Sequence, residues 1–234
     1  MIAEITASPA AVEALLGEAD PSPRALEAAG AGAGEALHPL LVAGLAAASE
    51  PAFRIWTDGI EPGVTVLGDR AGAVVLTEEP AGERTLLGVS FDEVALVLVG
   101  ALALEPRPSS DEPPLRLEPS AMAELSGRGQ VERHGLPGAD AEALGRRLEP
   151  GVRHWSVTCA ASDGLGGAIR REIQVVEGEA GIWRVRTVAG GLVDLVPTTS
   201  TAVLRDLVAL LGNGAAAGDG RAAAAAPASS RELG

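Results

Sequence analysis

Few residues of this chain are of the types that carry chemistry. Its histidines are His38, His134 and His154, and Cys159 is its single cysteine. No two histidines stand four residues apart, as they do in helical zinc sites, and one cysteine cannot build a multi-cysteine metal centre. We therefore expect no metal and no cofactor, and we expect the histidines to lie at the surface or at helix ends.

Cys159 and His154 are close enough in sequence to act as a nucleophile and its base, with Asp163 near them. The alternation of Trp155, Val157 and Cys159 puts the cysteine on the buried face of a strand if the tryptophan is buried. A buried cysteine behaves as a small hydrophobic residue. A small enzyme is therefore the least favoured interpretation, and we expect no catalytic residues.

Phosphate and nucleic-acid binding are disfavoured by composition. The glycine-rich segment 162–167 lacks the Gly-Lys-Ser/Thr ending of a phosphate-binding loop, and all 18 basic residues of the chain are arginines. The chain also has 32 acidic residues, so its net charge is -14. Because affinity for nucleic acid comes largely from clustered basic charge, we expect no nucleic-acid partner.

One basic cluster is still conceivable on two neighbouring strands. It would contain Arg170, Arg171, Arg184 and Arg186. Such a patch would suit an acidic partner, but ordinary cross-strand pairing with Glu172 or Glu177 is the favoured alternative.

No segment predicts a membrane or export role. The longest apolar stretch, residues 94–104, is shorter than the roughly 20 residues that a membrane-spanning helix needs. The N-terminus is acidic and lacks the basic start and apolar run of a signal peptide. The sequence thus predicts a cytoplasmic protein without membrane insertion.

The elements that must position these residues occur twice in the same order. Residues 51–104 predict four strands, at 53–57, 64–67, 73–77 and 85–89, and then a helix opened by a Ser90–Glu93 capping box. Residues 151–212 predict strands at 155–159, 169–176, 183–187 and 192–196, and a helix that ends at Gly212. The predicted fold class is α+β, with pseudo-duplicated β-β-β-β-α meander units and additional helices.

The remaining segments predict simpler structure. Residues 1–50 predict an N-terminal helical segment, and residues 105–150 a proline-rich linker followed by short helices near 120–125 and 139–148. The Ala/Gly-rich residues 213–234 predict a disordered tail. The helix that closes the first unit is apolar nearly all round, so we expect it to be buried on most sides.

Three stretches carry a resemblance to a known family. Residues 40–56 (LLVAGLAAASEPAFRIW) combine a helix, a proline break and a strand, and residues 115–125 (LRLEPSAMAEL) a short strand and a proline-started helix. Residues 190–200 (GGLVDLVPTTS) combine a strand with a proline cap before the last helix. In these features, over residues 35–212, the chain resembles the EspG family, cytosolic substrate-specific chaperones of type VII (ESX) secretion in actinobacteria.

The resemblance implies an EspG-like fold with quasi-two-fold symmetry and a function in recognition rather than catalysis. A cytosolic binding protein of this kind keeps a helical secreted substrate soluble, either PE/PPE-like or another ESX cargo, and releases it at the membrane machinery. We expect an exposed apolar patch with a polar rim. The predicted partner-binding residues lie in two hairpin loops and are Asp58, Gly59, Ile60, Asp69 and Arg70. The alternatives are an interaction or scaffold protein that homodimerises through its sheet edges, and the small enzyme above.

Overall fold

The computed structural model describes residues 3–18, 22–30, 36–79, 81–107, 113–117, 153–162, 168–178 and 181–224. Over these ranges the chain forms one ten-stranded antiparallel sheet with helices on both faces. The predictions for His134, Asp163 and the short helices near 120–125 and 139–148 fall outside the described residues.

The element bounds follow chain order. The strands of the first half are β1 (Glu4–Ala7), β2 (Phe53–Asp58), β3 (Val64–Gly68), β4 (Ala73–Glu78) and β5 (Arg84–Val89). Those of the second half are β6 (Leu115–Leu117), β7 (Arg153–Ser162), β8 (Ala168–Gly178), β9 (Gly181–Thr187) and β10 (Val193–Thr198). The helices are α1 (Pro9–Leu16), α2 (Pro23–Ala28), α3 (Pro39–Ser49), α4 (Val94–Ala101) and α5 (Ser200–Ala224).

The strand order of the sheet shows the duplication directly. It runs β1-β5-β4-β3-β2-β7-β8-β9-β10-β6, so each half is a four-stranded meander with an edge strand added beside its last strand. The halves meet where β2 pairs antiparallel with β7, with Ile55 opposite Cys159. The predicted α+β duplicated meander is confirmed. The sequence analysis did not foresee β1, which lies inside the segment predicted as helical.

The two faces of the sheet are covered by different helices. Helices α4 and α5 cover one face, where the core includes Phe53, Ile55, Trp155, Val157 and Leu207. Helices α1, α2 and α3 cover the other face over the first half only, around Leu15, Leu41, Leu45, Val74 and Leu86. The sheet centre on this second face therefore lies beside the α1–α3 layer rather than beneath it.

Local sequence signals begin the helices. Ser8 accepts a hydrogen bond from the backbone N–H of Ala11 ahead of a proline at the start of α1, and Ser22 does the same for α2. The Glu93 carboxylate accepts hydrogen bonds from both the backbone N–H and the hydroxyl of Ser90, at 2.8 and 2.7 Å. These bonds lower the pKa of Glu93 below its usual value because they favour the charged form.

The expectations about two helices are met to different degrees. Helix α4 is buried or partly buried on most sides, as expected, but not all round: Val94 and Leu98 are fully buried, whereas Leu96 is 71% exposed. Helix α5 continues to Ala224 instead of ending at Gly212. Residues 213–224, which were predicted to belong to a disordered tail, are therefore helical. The alanines in this segment have the highest helix propensity of any residue, which favours continuation of the helix.

Candidate partner-binding groove

A groove of about 790 Å³ lies at the sheet centre, on the face that α1–α3 cover only in part. It runs over β2, β3 and β4. Apolar side chains line much of it, and polar or charged side chains complete the wall. The apolar lining includes Leu16, Val64, Leu67 and Leu76, and the charged lining Arg54, Asp58, Glu78 and Arg84. The groove thus combines apolar and charged side chains, and one of the charged ones, Arg54, lies on β2 at the sheet centre.

Trp56 is the largest side chain of the groove. Because successive residues of a strand point to opposite faces, Arg54 and Trp56 share the groove face while Phe53 and Ile55 enter the core. The guanidinium carbon of Arg54 lies 5.7 Å from the centre of the Trp56 ring. That of Arg170, on β8, lies 5.3 Å from it. The half-buried tryptophan therefore contacts two arginines.

This cluster of arginine and tryptophan was not among the predicted site residues. Arg54 and Trp56 stand two apart on a predicted strand, so a shared face could have been read from the sequence. Arg170 could not, because it reaches Trp56 only through the pairing of β2 with β7 and of β7 with β8.

The predicted residues Asp58, Gly59 and Ile60 lie at the β2–β3 turn, at one end of this groove. Asp58 lines the groove, and Ile60 packs against the core on the α4–α5 side. Gly59 has φ +78, and a β-carbon there would stand 2.1 Å from the carbonyl oxygen of His154. The turn therefore packs closely on β7, where only glycine fits.

The other predicted residues, Asp69 and Arg70, lie in the β3–β4 turn. The Asp69 carboxylate accepts hydrogen bonds from the backbone N–H groups of Ala71 and Gly72, at 2.7 and 3.2 Å. The β3–β4 turn lies at one end of β3, and the β2–β3 turn lies at the other end of the same strand. A five-residue strand is about 17 Å long, so the two turns do not form one compact site.

The predicted basic patch does not form as a unit. Arg170 lies on the groove side of β8, and its neighbour Arg171 lies on the opposite side, because residues alternate along a strand. Arg184 pairs with Asp206 of α5. The favoured pairing with Glu172 or Glu177 is not seen either. Glu172 accepts a hydrogen bond from Gln174, and Glu177 pairs with Arg153.

The geometry does not support a nucleophile at Cys159. Its side chain lies in the core on the α4–α5 side of β7, whereas His154 belongs to the opposite face of that strand. Burial raises the pKa of the Cys159 thiol to about 11, although Arg171 nearby acts in the other direction. Burial also lowers the pKa of His154, although the negative charge of Glu172 acts to raise it. The thiol is therefore neutral and enclosed.

The histidines that the structure describes have structural surroundings. His38 is the N-cap of α3, where its Nδ1 accepts a hydrogen bond from the backbone N–H of Leu40 at 3.3 Å. His154 is partly buried at the start of β7, and its Nε2 has no hydrogen-bond partner in the described part of the chain. Within the described ranges, no three His, Cys, Asp or Glu side chains are grouped as ligands of a metal ion.

The exposed apolar side chains lie away from the groove. The large ones are Val42, Leu96, Ile169, Leu204 and Val208. Leu204 and Val208 stand one turn apart on α5, and α4, which carries Leu96, packs against that helix. Among the helices that the structure describes, none combines the length and the apolar character of a membrane span.

The fold is similar to that of a known chaperone. No family model and no curated protein matches the sequence. Among solved structures, the chain is similar to the Mycobacterium tuberculosis type VII secretion system chaperone EspG5, solved in complex with a PE25–PPE41 dimer. The two share 13% identity at a TM-score of 0.55, and the match covers 89% of this chain and 95% of the other. The chain therefore has an EspG-like fold.

Proposed function

We propose that this chain is a cytoplasmic, non-catalytic chaperone of type VII secretion. It binds a helical secreted substrate of the PE/PPE type and keeps it soluble until the substrate reaches the secretion machinery. The observation that carries the proposal is the extent of the structural match, which covers 89% of this chain and 95% of a chaperone captured with a PE–PPE dimer.

The groove is the proposed docking surface for the substrate. It is concave and lined by both apolar and charged side chains, which suits a helix that presents apolar side chains together with a polar group. The β2–β3 turn borders it, so Asp58 and Gly59 are proposed to contact the substrate at this end, whereas Ile60 of the same turn packs on the α4–α5 side and is proposed to hold the turn in place.

The β3–β4 turn with Asp69 and Arg70 is proposed as a second, separate contact. Helix α3 lies against Gly72 and Ala73 beside this turn, so a substrate in the groove would have to pass around α3 to reach Asp69 and Arg70. A substrate that met the chaperone only by its tip would contact one turn alone.

The experiment is co-expression of the full chain with a PE–PPE pair from the same genome, followed by affinity capture through a tag on this chain. We expect a complex with one copy of each protein, measured by size-exclusion chromatography with light scattering. Recovery of this chain alone, from cells shown to contain the PE–PPE pair, would contradict the proposal.

A pair of matched variants locates the surface. Thr65 is half-buried and lines the groove, so Thr65→Arg places a long charged side chain where the substrate would lie. Thr201 is exposed on α5, so Thr201→Arg makes the same chemical change on the other side of the sheet. Capture should be lost with the first variant and kept with the second. The reverse result would move the docking surface to the outer face of α4 and α5.

The same light-scattering measurement tests the scaffold alternative, in which the chain homodimerises through its sheet edges. The edge strands β1 and β6 have four and three residues, and such short edges give little backbone for pairing between chains. We therefore expect the mass of a single chain in the absence of substrate.

A further inference from the structure

The arginine–tryptophan cluster at the sheet centre has a defined arrangement. In the register, Arg54 of β2 stands opposite Ala160 of β7, and Ala160 stands opposite Arg170 of β8. Strands lie about 4.8 Å apart, so the backbones of the two arginines are separated by about 10 Å. The small Ala160 lies between them and lines the groove, and Trp56 occupies the next row of the same face.

Neither of these two arginines is neutralised. Within the described residues, the side chains of Arg54 and Arg170 contact the ring of Trp56, and no carboxylate pairs with either of them. Other arginines do have such partners. Arg84 pairs with Glu13 and Glu78, Arg116 with Asp194, Arg153 with Glu177, and Arg184 with Asp206. Two arginines that have no ion pair with any described residue therefore stand together on a chain whose net charge is -14.

The carboxylates nearest to the cluster in the fold form other hydrogen bonds or lie at the end of a strand. Glu172, two residues from Arg170 on the same face, accepts a hydrogen bond from the side-chain amide of Gln174 at 2.9 Å. Glu78 accepts from Arg84 at 3.1 Å. Asp58 is exposed at the end of β2. Glu172 keeps its negative charge, because an amide donor does not neutralise it, but among the described residues the N–H donors of Arg54 and Arg170 remain available to a partner.

The surface under the cluster also contains an unsatisfied polar atom. Thr158 lies opposite Trp56 in the register, two residues from Ala160 on the same face of β7. It is fully buried, and its hydroxyl has no hydrogen-bond partner within the described ranges. A buried hydroxyl without a partner costs free energy, but no part of Thr158 is exposed, so a ligand would reach it only if the side chains above it moved.

We propose that Arg54, Trp56 and Arg170 form a carboxylate-binding site, which takes one acidic side chain presented on an apolar helix. The identification of that helix with part of the secreted substrate rests on the proposed function. A guanidinium that contacts a ring in a cation–π interaction makes no hydrogen bond to it, so its N–H donors can still bind a carboxylate in bidentate geometry. Contact with Trp56 also orders both arginines before binding, which lowers the entropic cost of recognition.

The surroundings limit the ligand to a single carboxylate among apolar groups. The groove beside the cluster is lined by Leu16, Leu67 and Leu76, which an apolar helix face can cover. Asp58, at the end of β2, repels further acidic groups, and the net charge of -14 repels a polyanion such as nucleic acid.

The test uses two defined peptides. One is a short Leu/Ala/Gln helix, acetylated and amidated, with a single central glutamate, and the other carries glutamine at that position. We expect the full chain to bind the glutamate peptide about 10- to 100-fold more tightly in titration calorimetry, the range for hydrogen bonds to a charged group. The preference should weaken as salt is added.

Three double variants show whether the preference depends on the cluster. The Arg54→Gln/Arg170→Gln protein should bind both peptides equally. The control, Arg186→Gln/Arg205→Gln, removes the same charge at exposed positions and should keep the preference. The Arg54→Lys/Arg170→Lys protein retains the charge but not the planar fork, so its preference should be intermediate. Thermal unfolding verifies that each variant is folded.

Three results would overturn the inference. They are equal binding of the two peptides by the unaltered chain, equal loss in the control variant, and tighter binding of a single-stranded oligonucleotide through the same arginines. Failure here is distinct from failure of the proposed function. Capture of a PE–PPE pair with no preference between the peptides contradicts only the carboxylate site, whereas a clear preference without capture contradicts only the chaperone assignment.

Discussion

A β-carbon placed on Gly88 would stand 2.3 Å from the Cα of Leu41, so helix α3 rests directly on the backbone of β5 at this point. The neighbouring atoms are all backbone atoms of α3, which cannot rotate away as a side chain can. The contact brings Leu41 and Leu45 into one cluster with Leu86. Glycine at position 88 is therefore what allows α3 to cover this half of the sheet.

The first prediction concerns this contact. Gly88→Ala should lower the free energy of unfolding by about 1–3 kcal/mol, because the helix must shift to admit the methyl group. Gly100→Ala is the matched control, since nothing lies within 4 Å of a β-carbon there. It should raise stability by up to about 1 kcal/mol. Urea denaturation measures both, and equal effects of the two variants would contradict the close approach.

The second prediction concerns Arg153, which joins the two halves of the fold. Its guanidinium donates a hydrogen bond at 2.7 Å to the carbonyl of Leu102, just after α4, and lies 3.6 Å from the Glu177 carboxylate on β8. Glu177 is only 2% exposed. Arg153→Met should cost about 1–3 kcal/mol, since it leaves a buried carboxylate and a helix-end carbonyl without their partner.

A second substitution separates the two contributions of Arg153. In the Arg153→Met/Glu177→Gln protein the buried charge is gone, so part of the lost stability should return. If the double variant were no more stable than Arg153→Met alone, the contact with Leu102 rather than the ion pair would account for the effect.

Much of the fold could be predicted because its signals are local. Alternation with period two marks the strands of both meanders, and the Ser90–Glu93 box marks the start of the helix that follows β5. The α+β class with two meanders follows from the order of these elements, and the EspG-like fold was implied by the resemblance of residues 40–56, 115–125 and 190–200 to that family. By contrast, β1 has four residues and is defined by its pairing with β5, about 80 positions later, with Ile5 opposite Leu86. No local pattern reports such a pairing.

The groove could be predicted only in part, for the same reason. The turn at Asp58–Ile60 was recognisable from its glycines and proline, and it does border the groove. The approach of Arg170 to Trp56 depends on β7 lying between β2 and β8, which is set by how the two halves join. The exposure of Leu96 likewise depends on which side of α4 meets the sheet. Residues that are brought together where the two halves join therefore cannot be recognised from sequence periodicity.

The third prediction is a dependence on pH. Arg116 donates two hydrogen bonds to Asp194, at 2.7 and 2.9 Å, and these lower the pKa of the Asp194 carboxyl below its usual value. A lowered pKa in the folded state stabilises the fold above the unfolded pKa of about 3.9, and this contribution is lost as the pH falls through the folded value. Asp194→Asn should therefore lower the Tm at pH 7, and its difference from the unaltered chain should shrink below about pH 4.

A matched control separates this pair from a general loss of charge. Glu27 is exposed on α2, so Glu27→Gln removes one carboxylate without removing an ion pair on the sheet. Its Tm should stay close to that of the unaltered chain across the same range. A constant difference between Asp194→Asn and the unaltered chain from pH 7 to pH 3 would show that the ionised pair with Arg116 does not contribute.

The last prediction concerns the thiol of Cys159, which bears on whether the chain could be an enzyme. The residue is 3% exposed, and burial raises the pKa of its thiol to about 11. Since the thiolate is the reactive form, Ellman's reagent at pH 8 should modify the folded chain at least about 100-fold more slowly than the chain in guanidinium chloride. Cys159→Ala and His154→Ala should still capture the PE–PPE pair, because neither residue lines the groove. Rapid, stoichiometric labelling of the folded chain would instead mean that β7 exposes a reactive thiol, and a nucleophile at this position would again have to be considered.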